Sequence, residues 1–493
     1  MTSPHWLVLE VVVPLMAAPL IVVLRRETVA WMIMAAVSAF MLVGALLLFA
    51  EVRQHGVLTY AMGSWPAPWG IEYRLDAANA FLLVLLGIVA AVVAPFAWKS
   101  VAAEVSREQR YLFYALYCLC LAGLAGITVT GDAFNIFVFL EISSLSTYVL
   151  IALGRDRRAL MASYQYLILG TVGATFFVIG VGLLYLETGT LNLSDLAVRL
   201  VAIRGKHSVL AALAFITVGM SLKLALFPLH MWLPNAYAYA PSAVSSMLAA
   251  VATKVSVYVL MRFYFSVFGV GAIFGELPMA DLLVLLAVAA MFVAAAAAIW
   301  QDNLKHMLAY SSISQIGYIT LGIGLVSPAG LTAGVLHLFN HGITKGALFL
   351  LAGCIAMRLG SVRFDRMAGI GRTMPWTCAG IVVGGMSLIG VPATAGFVSK
   401  WYLVVAAIET APRWIALLPL ASSMLAVAYV WRFVEIAYFR EPTEEVRVLR
   451  EAPMALLAPA WVLVVAVVWF GLDSAWPVAG ATHAAAALFG GFR

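Results

Sequence analysis

Runs of roughly twenty apolar residues succeed one another along this chain, and no polar stretch between them is long enough to fold as a soluble domain. A helix needs about 20 mostly apolar residues to cross the hydrocarbon core of a bilayer. Fourteen such runs can be counted, at approximately 6–24, 29–50, 77–97, 111–130, 132–153, 163–187, 208–230, 242–265, 279–300, 304–326, 330–357, 375–403, 415–439 and 454–472. Composition leaves no other environment open. The chain is 64% hydrophobic and 11% charged, whereas a soluble protein carries roughly 45–50% and about 25%. An all-α polytopic membrane fold of about 14 transmembrane helices is expected. It divides into three N-terminal helices over 1–110, a five-helix unit over 111–265, a second over 279–439, and a C-terminal helix and tail over 440–493. The N-terminus lacks the basic flank and small-residue cleavage site of a signal peptide. Cys118, Cys120, Cys354 and Cys378 lie inside apolar runs without cluster or zinc spacing, so they read as small buried residues, and no metal or cofactor is expected.

The net charge of +6 calls for no nucleic-acid partner; a cytoplasmic excess of Lys and Arg produces it in any membrane protein. Sixteen basic residues fall in loops after odd-numbered spans, among them Arg25, Arg155, Lys305, Arg363 and Arg450. Seven (Arg53, Arg74, Arg199, Arg204, Lys206, Arg413 and Arg493) fall in even loops and the tail. The positive-inside rule then puts the odd loops in the cytoplasm and both termini outside, with the chain in the inner (plasma) membrane. Six of the 29 basic residues remain, and these lie within spans.

The six are Lys223, Lys254, Arg262, Lys345, Lys400 and Arg432, accompanied by Glu10, Glu141 and Glu435. A charge at mid-span costs about 2.5–3.5 kcal/mol on insertion scales. Arg262 and Glu10 stand near helix ends and are expected to reach the interface. Arg432 and Glu435, three residues apart, are expected to neutralise each other. The others are deeper. Glu141 lies nine residues into its span and Lys223 fifteen into its own, near mid-membrane at ~1.5 Å per residue. Lys254 and Lys345 are comparably deep, and Lys400 sits beyond the middle of its span. One carboxylate among several lysines reads as a Glu–Lys pair plus further lysines free to exchange protons; static ion pairs between helices would leave too many of them without a partner.

His337, His341 and Lys345 are spaced by four and form one polar stripe on a helix, with Asn340 and Thr344 beside it. A metal could bind such a histidine pair, but no Glu follows the first histidine and no third ligand is evident, so the stripe reads as a hydrated proton relay. His230 is a second relay candidate. Two spans carry proline near their middle together with a lysine: Lys223 with Pro228, and Pro392 with Lys400. Proline removes a backbone donor and breaks the helix, which a membrane tolerates only where the break is buried or lines a watered cavity. The two breaks are five spans apart, so their segments run in opposite directions, the pattern of inverted repeats around a transport site. Repeats over spans four to eight and nine to thirteen are expected.

These motifs together resemble, over nearly the whole chain, the antiporter-like membrane subunits shared by respiratory complex I, membrane-bound hydrogenases and Mrp cation/proton antiporters. The run Thr130-Gly131-Asp132-Ala133-Phe134-Asn135 leading to Glu141 is similar to the family's glutamate helix. Lys223 falls on the lysine of its first broken helix and Lys254 on the connecting lysine of the eighth. The stretch Asp302-Asn303-Leu304-Lys305-His306-Met307 through Gln315 is similar to the start of its tenth helix. His337, His341 and Lys345 match the eleventh, and Lys400 the terminal lysine. The loop from Gly63 through Trp65, Pro66 and Trp69 to Glu72 is similar to that of the D-type subunits of Mrp antiporters, and lysine at 400 differs from the complex I subunit that carries glutamate there. Ala393 departs from the pattern, standing where many relatives place a second proline. The resemblance implies a proton-translocating subunit of a multisubunit Na+/proton antiporter, with other membrane subunits as partners, protons and sodium as transported ions, and no enzymatic activity of its own. Protons would enter near Lys254 or Lys223, cross by His337, His341 and Lys345, and leave by Lys400. The alternative is a proton-pumping membrane subunit of a redox complex, whose redox chemistry would lie in another chain.

Overall fold

A computed structural model describes residues 5–492 of the protein, so Arg493 of the tail charges lies outside the described residues. Six helices come first: α1 His5–Leu24, α2 Glu27–His55, α3 Ala77–Glu104, α4 Arg107–Val129, α5 Ala133–Ala152 and α6 Arg158–Thr188. The seventh apolar run is divided into α7 His207–Leu224 and α8 Leu233–Tyr239. Then follow α9 Ser242–Val267, α10 Met279–Ile299, α11 Leu304–Gly324 and α12 Pro328–Leu359. The twelfth run is likewise divided, into α13 Pro375–Ile389 and α14 Ala395–Thr410. The chain ends with α15 Arg413–Phe439, α16 Met454–Leu472 and α17 Ala475–Phe489.

Twelve helices among the described residues are long and apolar enough to cross a membrane. The protein is thus a mainly helical polytopic membrane protein. Two of the fourteen expected spans differ for physical reasons. α11 carries Ser311, Ser312, Ser314 and Gln315, all buried, because it packs inside the protein and not against lipid. The pieces of the twelfth run, at 15 and 16 residues, are each too short to cross alone. α17 was not anticipated. Its alanine-rich face packs on α3 and α12, with Trp476 against Phe81 and Phe339 at 5.7 and 5.6 Å.

Capping side chains fix where the helices start. Asp76 Oδ1 accepts from the amides of Ala78 and Asn79, while Asn79 Oδ1 accepts from the Asp76 amide at 2.6 Å, a reciprocal box that begins α3. Asp132 caps α5 and Asn303 caps α11. Each of these two caps also forms an antiparallel bridge, Asp132 to Asn192 and Asn303 to Arg363. Both partners of the second bridge stand 171 residues after those of the first (132 to 303, 192 to 363). Between α2 and α3, strands β1 Leu58–Ala61 and β2 Glu72–Leu75 pair antiparallel and carry a loop exposing Trp65 and Trp69.

Four charges behave otherwise than the sequence leads one to expect. Arg262 does not reach an interface: it is buried and forks onto Asp76, with Nη1–Oδ2 at 2.8 Å and Nη2–Oδ1 at 2.9 Å. The cap of α3 thereby satisfies the guanidinium, and breaking such a buried pair costs about 3–5 kcal/mol. Glu10 is fully buried, on a face of α1 where a methyl on Gly44 of α2 would collide with its carboxylate. Arg432 and Glu435 do not meet each other. Arg432 pairs with Asp302 at 3.1 Å and donates to the carbonyls of Ile299 and Gln301 at 2.6 and 2.7 Å, which hold it at the end of α10, while Glu435 pairs with Arg440 at 3.0 Å.

Candidate functional site

The first broken helix ends where Ala225 adopts φ +58° and the Leu226 amide turns back to Ser221 O at 2.9 Å. Pro228 and His230 follow in irregular backbone before α8, and Trp232 Nε1 donates at 2.8 Å to the Leu222 carbonyl, which also accepts from the Ala225 amide at 3.3 Å. Lys223, one residue before the helix end, is buried. Its ammonium donates to Ser144 Oγ at 2.7 Å and lies 3.9 Å from Glu141 Oε1 on α5. The glutamate side chain is 25% exposed and the lysine 3%, so the glutamate reaches the protein edge while its Oε1 is buried toward the ammonium inside. Beside Lys223 a small polar cavity, lined by Ser144, Thr147, Tyr166, Thr253 and Ser256, has room for a water molecule.

Thr253 leads to Lys254. Just before it, residues Leu248–Ala252 form a π turn, whose longer hydrogen bonds leave a carbonyl free. The Lys254 ammonium bonds the Ala249 carbonyl there and lies 3.4 Å from Thr253 Oγ1. Lys254 is within electrostatic reach of His341 and Lys345 on α12.

On α12 the rings of His337 and His341 stack at 5.9 Å and 2°. His337 Nδ1 meets Ser399 Oγ at 2.8 Å. His337 Nε2 and both ring nitrogens of His341 are buried without a protein partner among the described residues, and buried polar atoms of this kind are normally bridged by internal water. Lys345 donates to Leu308 O at 2.8 Å and to Ser311 Oγ at 2.5 Å, both on α11. Tyr318 of the same helix lies 5.5 Å from His337 and holds the Lys400 ammonium 4.4 Å above its ring.

The second broken helix is built differently. Gly390 ends α13 at φ +91°, Val391 and Pro392 carry the chain across, and Ala393 takes φ +67°. Lys400, on the second piece, reaches back to the end of the first: its ammonium donates to Leu388 O at 2.7 Å, Ile389 O at 3.1 Å and Ser423 Oγ at 2.9 Å. Carbonyls at a helix C-terminus lack intrahelical donors, and the helix dipole favours a cation there. Asn340 donates to Ala395 O at 2.8 Å and Thr344 meets Ser387 Oγ at 3.0 Å, tying α12 to both pieces. A cavity of ≈ 310 Å³ runs from Lys400 past Gly390, Phe397, Ser423 and Met424.

Seven residues singled out in the sequence thus fall into two groups joined by Lys254: Glu141 with Lys223, and His337, His341 and Lys345 with Lys400. His230 stands apart from the cavity beside Lys223, stacked on Phe227 at 5.2 Å and facing Tyr310 of α11 at 6.4 Å. Sequence reading missed Tyr318 and Ser399, which link the histidines to Lys400. Polar side chains on an otherwise apolar chain were the available signal. It also placed Lys305 in a loop, whereas that side chain is buried and donates to Ser242 Oγ at 3.1 Å. All four cysteines are buried and free. No group of three or more His, Cys, Asp or Glu among the described residues could hold a metal.

Residues 130–426 match the family model described as NADH:quinone oxidoreductase/Mrp antiporter, transmembrane. Over 487 residues the chain is 40% identical to the NADH-quinone oxidoreductase subunit N of Desulforudis audaxviator, covering 95% of this chain and 96% of that one. Over 417 residues it is 33% identical to the D subunit of the Na(+)/H(+) antiporter of Alkalihalophilus pseudofirmus, covering 83% of each. Its fold superimposes on a chain of the Mrp complex from Dietzia sp. DQ12-45-1b with a TM-score of 0.91 at 28% identity, covering 99% of this chain and 98% of that chain. With its broken helices, buried lysines and matched span of residues, the chain belongs to the NADH:quinone oxidoreductase/Mrp antiporter transmembrane family.

Proposed function

We propose that this protein is the proton-translocating subunit of a multisubunit monovalent cation (Na+)/proton antiporter, corresponding to the D-type subunit of Mrp assemblies. One observation carries the reading. Four buried lysines and two stacked histidines succeed one another between the two broken helices, and Lys223 alone has a carboxylate within 4 Å among the described residues. Moving a charge on Glu141 changes the proton affinity of Lys223. The polar cavity beside Ser144 and Thr253 leads from there to Lys254, and the α12 stripe leads on to Lys400. In this reading Glu141, at the protein edge, senses a neighbouring membrane subunit, and Lys400 is the exit. The odd loops lie in the cytoplasm and both termini outside. Spans four to eight and nine to thirteen are inverted repeats, which the matching bridges at Asp132 and Asn303 support. The relative named as an antiporter D subunit and the Mrp complex support membership in such an assembly in the plasma membrane.

A second reading, a proton-pumping subunit of a redox complex, is favoured by the 40% identity to an oxidoreductase subunit N. Subunits that copurify with the protein separate the two. Small antiporter subunits support the first reading and quinone-reductase or hydrogenase subunits the second. The mechanism is tested by Glu141→Ala and Lys223→Ala in everted vesicles. Each should abolish cation/proton exchange while the complex still assembles, and normal exchange in either would overturn the proposal.

A further inference from the structure

The mechanism above leaves one buried lysine unused. Lys305 stands on the first turn of α11, directly after the Asn303 cap, and is 4% exposed. A lysine serving only to hold a loop at the cytoplasmic face would extend its ammonium to water or headgroups. This one turns inward. It donates to Ser242 Oγ at 3.1 Å and Ala240 O at 3.3 Å, where α8 gives way to α9. Ser242 Oγ in turn donates to Glu104 Oε1 at 2.7 Å, and its amide to Glu104 Oε2 at 2.9 Å. Ser100 Oγ completes the carboxylate's partners at 2.6 Å. An ammonium and a carboxylate therefore meet through a hydroxyl, which accepts from the one and donates to the other.

Above this cluster lies a polar basin of ≈ 300 Å³, formed where the ends of α3, α8, α11 and α12 meet the turn between α5 and α6. Its charged groups are Glu104, Arg155, Asp156, Arg158, Lys305 and Arg363. Arg158 is paired with Asp156 at 2.6 Å and Arg363 with Asp365 at 3.0 Å, which leaves Arg155 on the rim and Glu104 and Lys305 at the floor. Below, one turn farther along α11, the Leu308 carbonyl and then Ser311 hold Lys345. Ser246, on the turn of α9 after Ser242, bonds Gly346 O at 3.0 Å. Along α11, the Leu308 carbonyl that holds Lys345 stands three residues after Lys305.

We infer that Glu104, Ser242 and Lys305 form a proton-transfer station joining the basin to Lys345, so that the second half of the molecule has its own opening on the side of the odd loops. A hydrated proton arriving from bulk water through the basin protonates the Glu104 carboxylate and leaves a water molecule behind. The carboxylic acid then gives its proton to Ser242 Oγ as the hydroxyl proton passes to the neutral Lys305 amine, leaving a carboxylate, an unchanged serine and an ammonium. Lys305 passes the proton on toward Lys345. The inference rests on the proton-translocating reading proposed above.

Its test uses the assembled complex in everted vesicles. Ser242→Ala removes the bridging hydroxyl alone and should slow proton-coupled exchange by about tenfold or more with assembly unchanged. Formate, a small weak acid that fits the basin, should restore much of the lost rate, which it could not do for a packing defect. The double variant Glu104→Gln with Lys305→Met removes both charges together, which a purely structural pair tolerates; it should lose exchange and respond to formate in the same way. Exchange at the parental rate in either variant, a slow rate that formate leaves unmoved, or loss of the assembled subunit in Ser242→Ala would each overturn the inference. Glu141→Ala, measured alongside, keeps the two questions apart. Full exchange there removes the proton-translocating reading itself. Loss there with parental Ser242→Ala removes only the station.

Discussion

The two broken helices solve one electrostatic problem in opposite ways. In the first, the lysine precedes the break and its charge is met from another helix, by Ser144 and Glu141 of α5. In the second, the lysine follows the break and its charge is met by the carbonyls of Leu388 and Ile389, which the break itself exposes. A carboxylate on a separate helix can move or change its protonation, so the state of Lys223 depends on something outside its own segment. Helix-end carbonyls are fixed in sign and place. Lys400 therefore has a constant partner, and under the proposed function its state is set by what the α12 stripe delivers. Under the proposed function the first break is the one that is driven and the second the one that responds.

The largest expected effect comes from inverting the charge at the second break. Lys400→Glu would set a carboxylate against two carbonyl oxygens at the negative end of a helix, where it cannot donate. Exchange should fall to background and the complex should lose about 3–5 kcal/mol of stability, read by thermal denaturation. A variant that kept exchange would show that the carbonyl contacts do not set the state of this site. A smaller effect should follow at Gly396, whose missing side chain lets α14 approach Ser387 of α13; a methyl there would overlap the Ser387 carbonyl. Gly396→Ala should cost about 1–3 kcal/mol in the same assay, through the second break alone. The smallest should come from Ala225→Gly. Ala225 holds φ +58°, a left-handed conformation that costs an alanine about 1–2 kcal/mol and a glycine little, less what glycine loses in chain entropy. The melting temperature should rise by about one or two degrees without loss of exchange. A large fall in exchange would mean that strain at the first break takes part in the cycle.

How much of this was legible in the sequence followed from what one dimension preserves. Hydropathy marked the spans, because lipid filters composition over whole turns of helix. Proline with lysine marked both breaks, because few other reasons place that pair in an apolar run. Depth in the bundle was not preserved. Arg262 and Lys305 stand at helix ends, where a charge bound for the interface and a charge folded inward look alike. What decided between them was Asp76 for the first and Ser242 with Glu104 for the second, partners far away in the chain. The π turn that offers the Ala249 carbonyl to Lys254 left no mark, since Leu248–Ala252 is as apolar as an ordinary helical turn. α17 was hidden for a related reason: its alanines and glycine pack closely without raising hydropathy to that of a span.

That last helix bears on how the molecule is made. Phe81 of α3 rests against Trp476, whose codon is translated 395 residues later (81 to 476), and Ser266 beside the Arg262–Asp76 pair donates to Leu488 O at 3.3 Å. The ribosome therefore delivers α3 to the bilayer long before the surface that will cover it exists. During synthesis the flank of α3 that faces Trp476 therefore waits without its cover until α17 has been made.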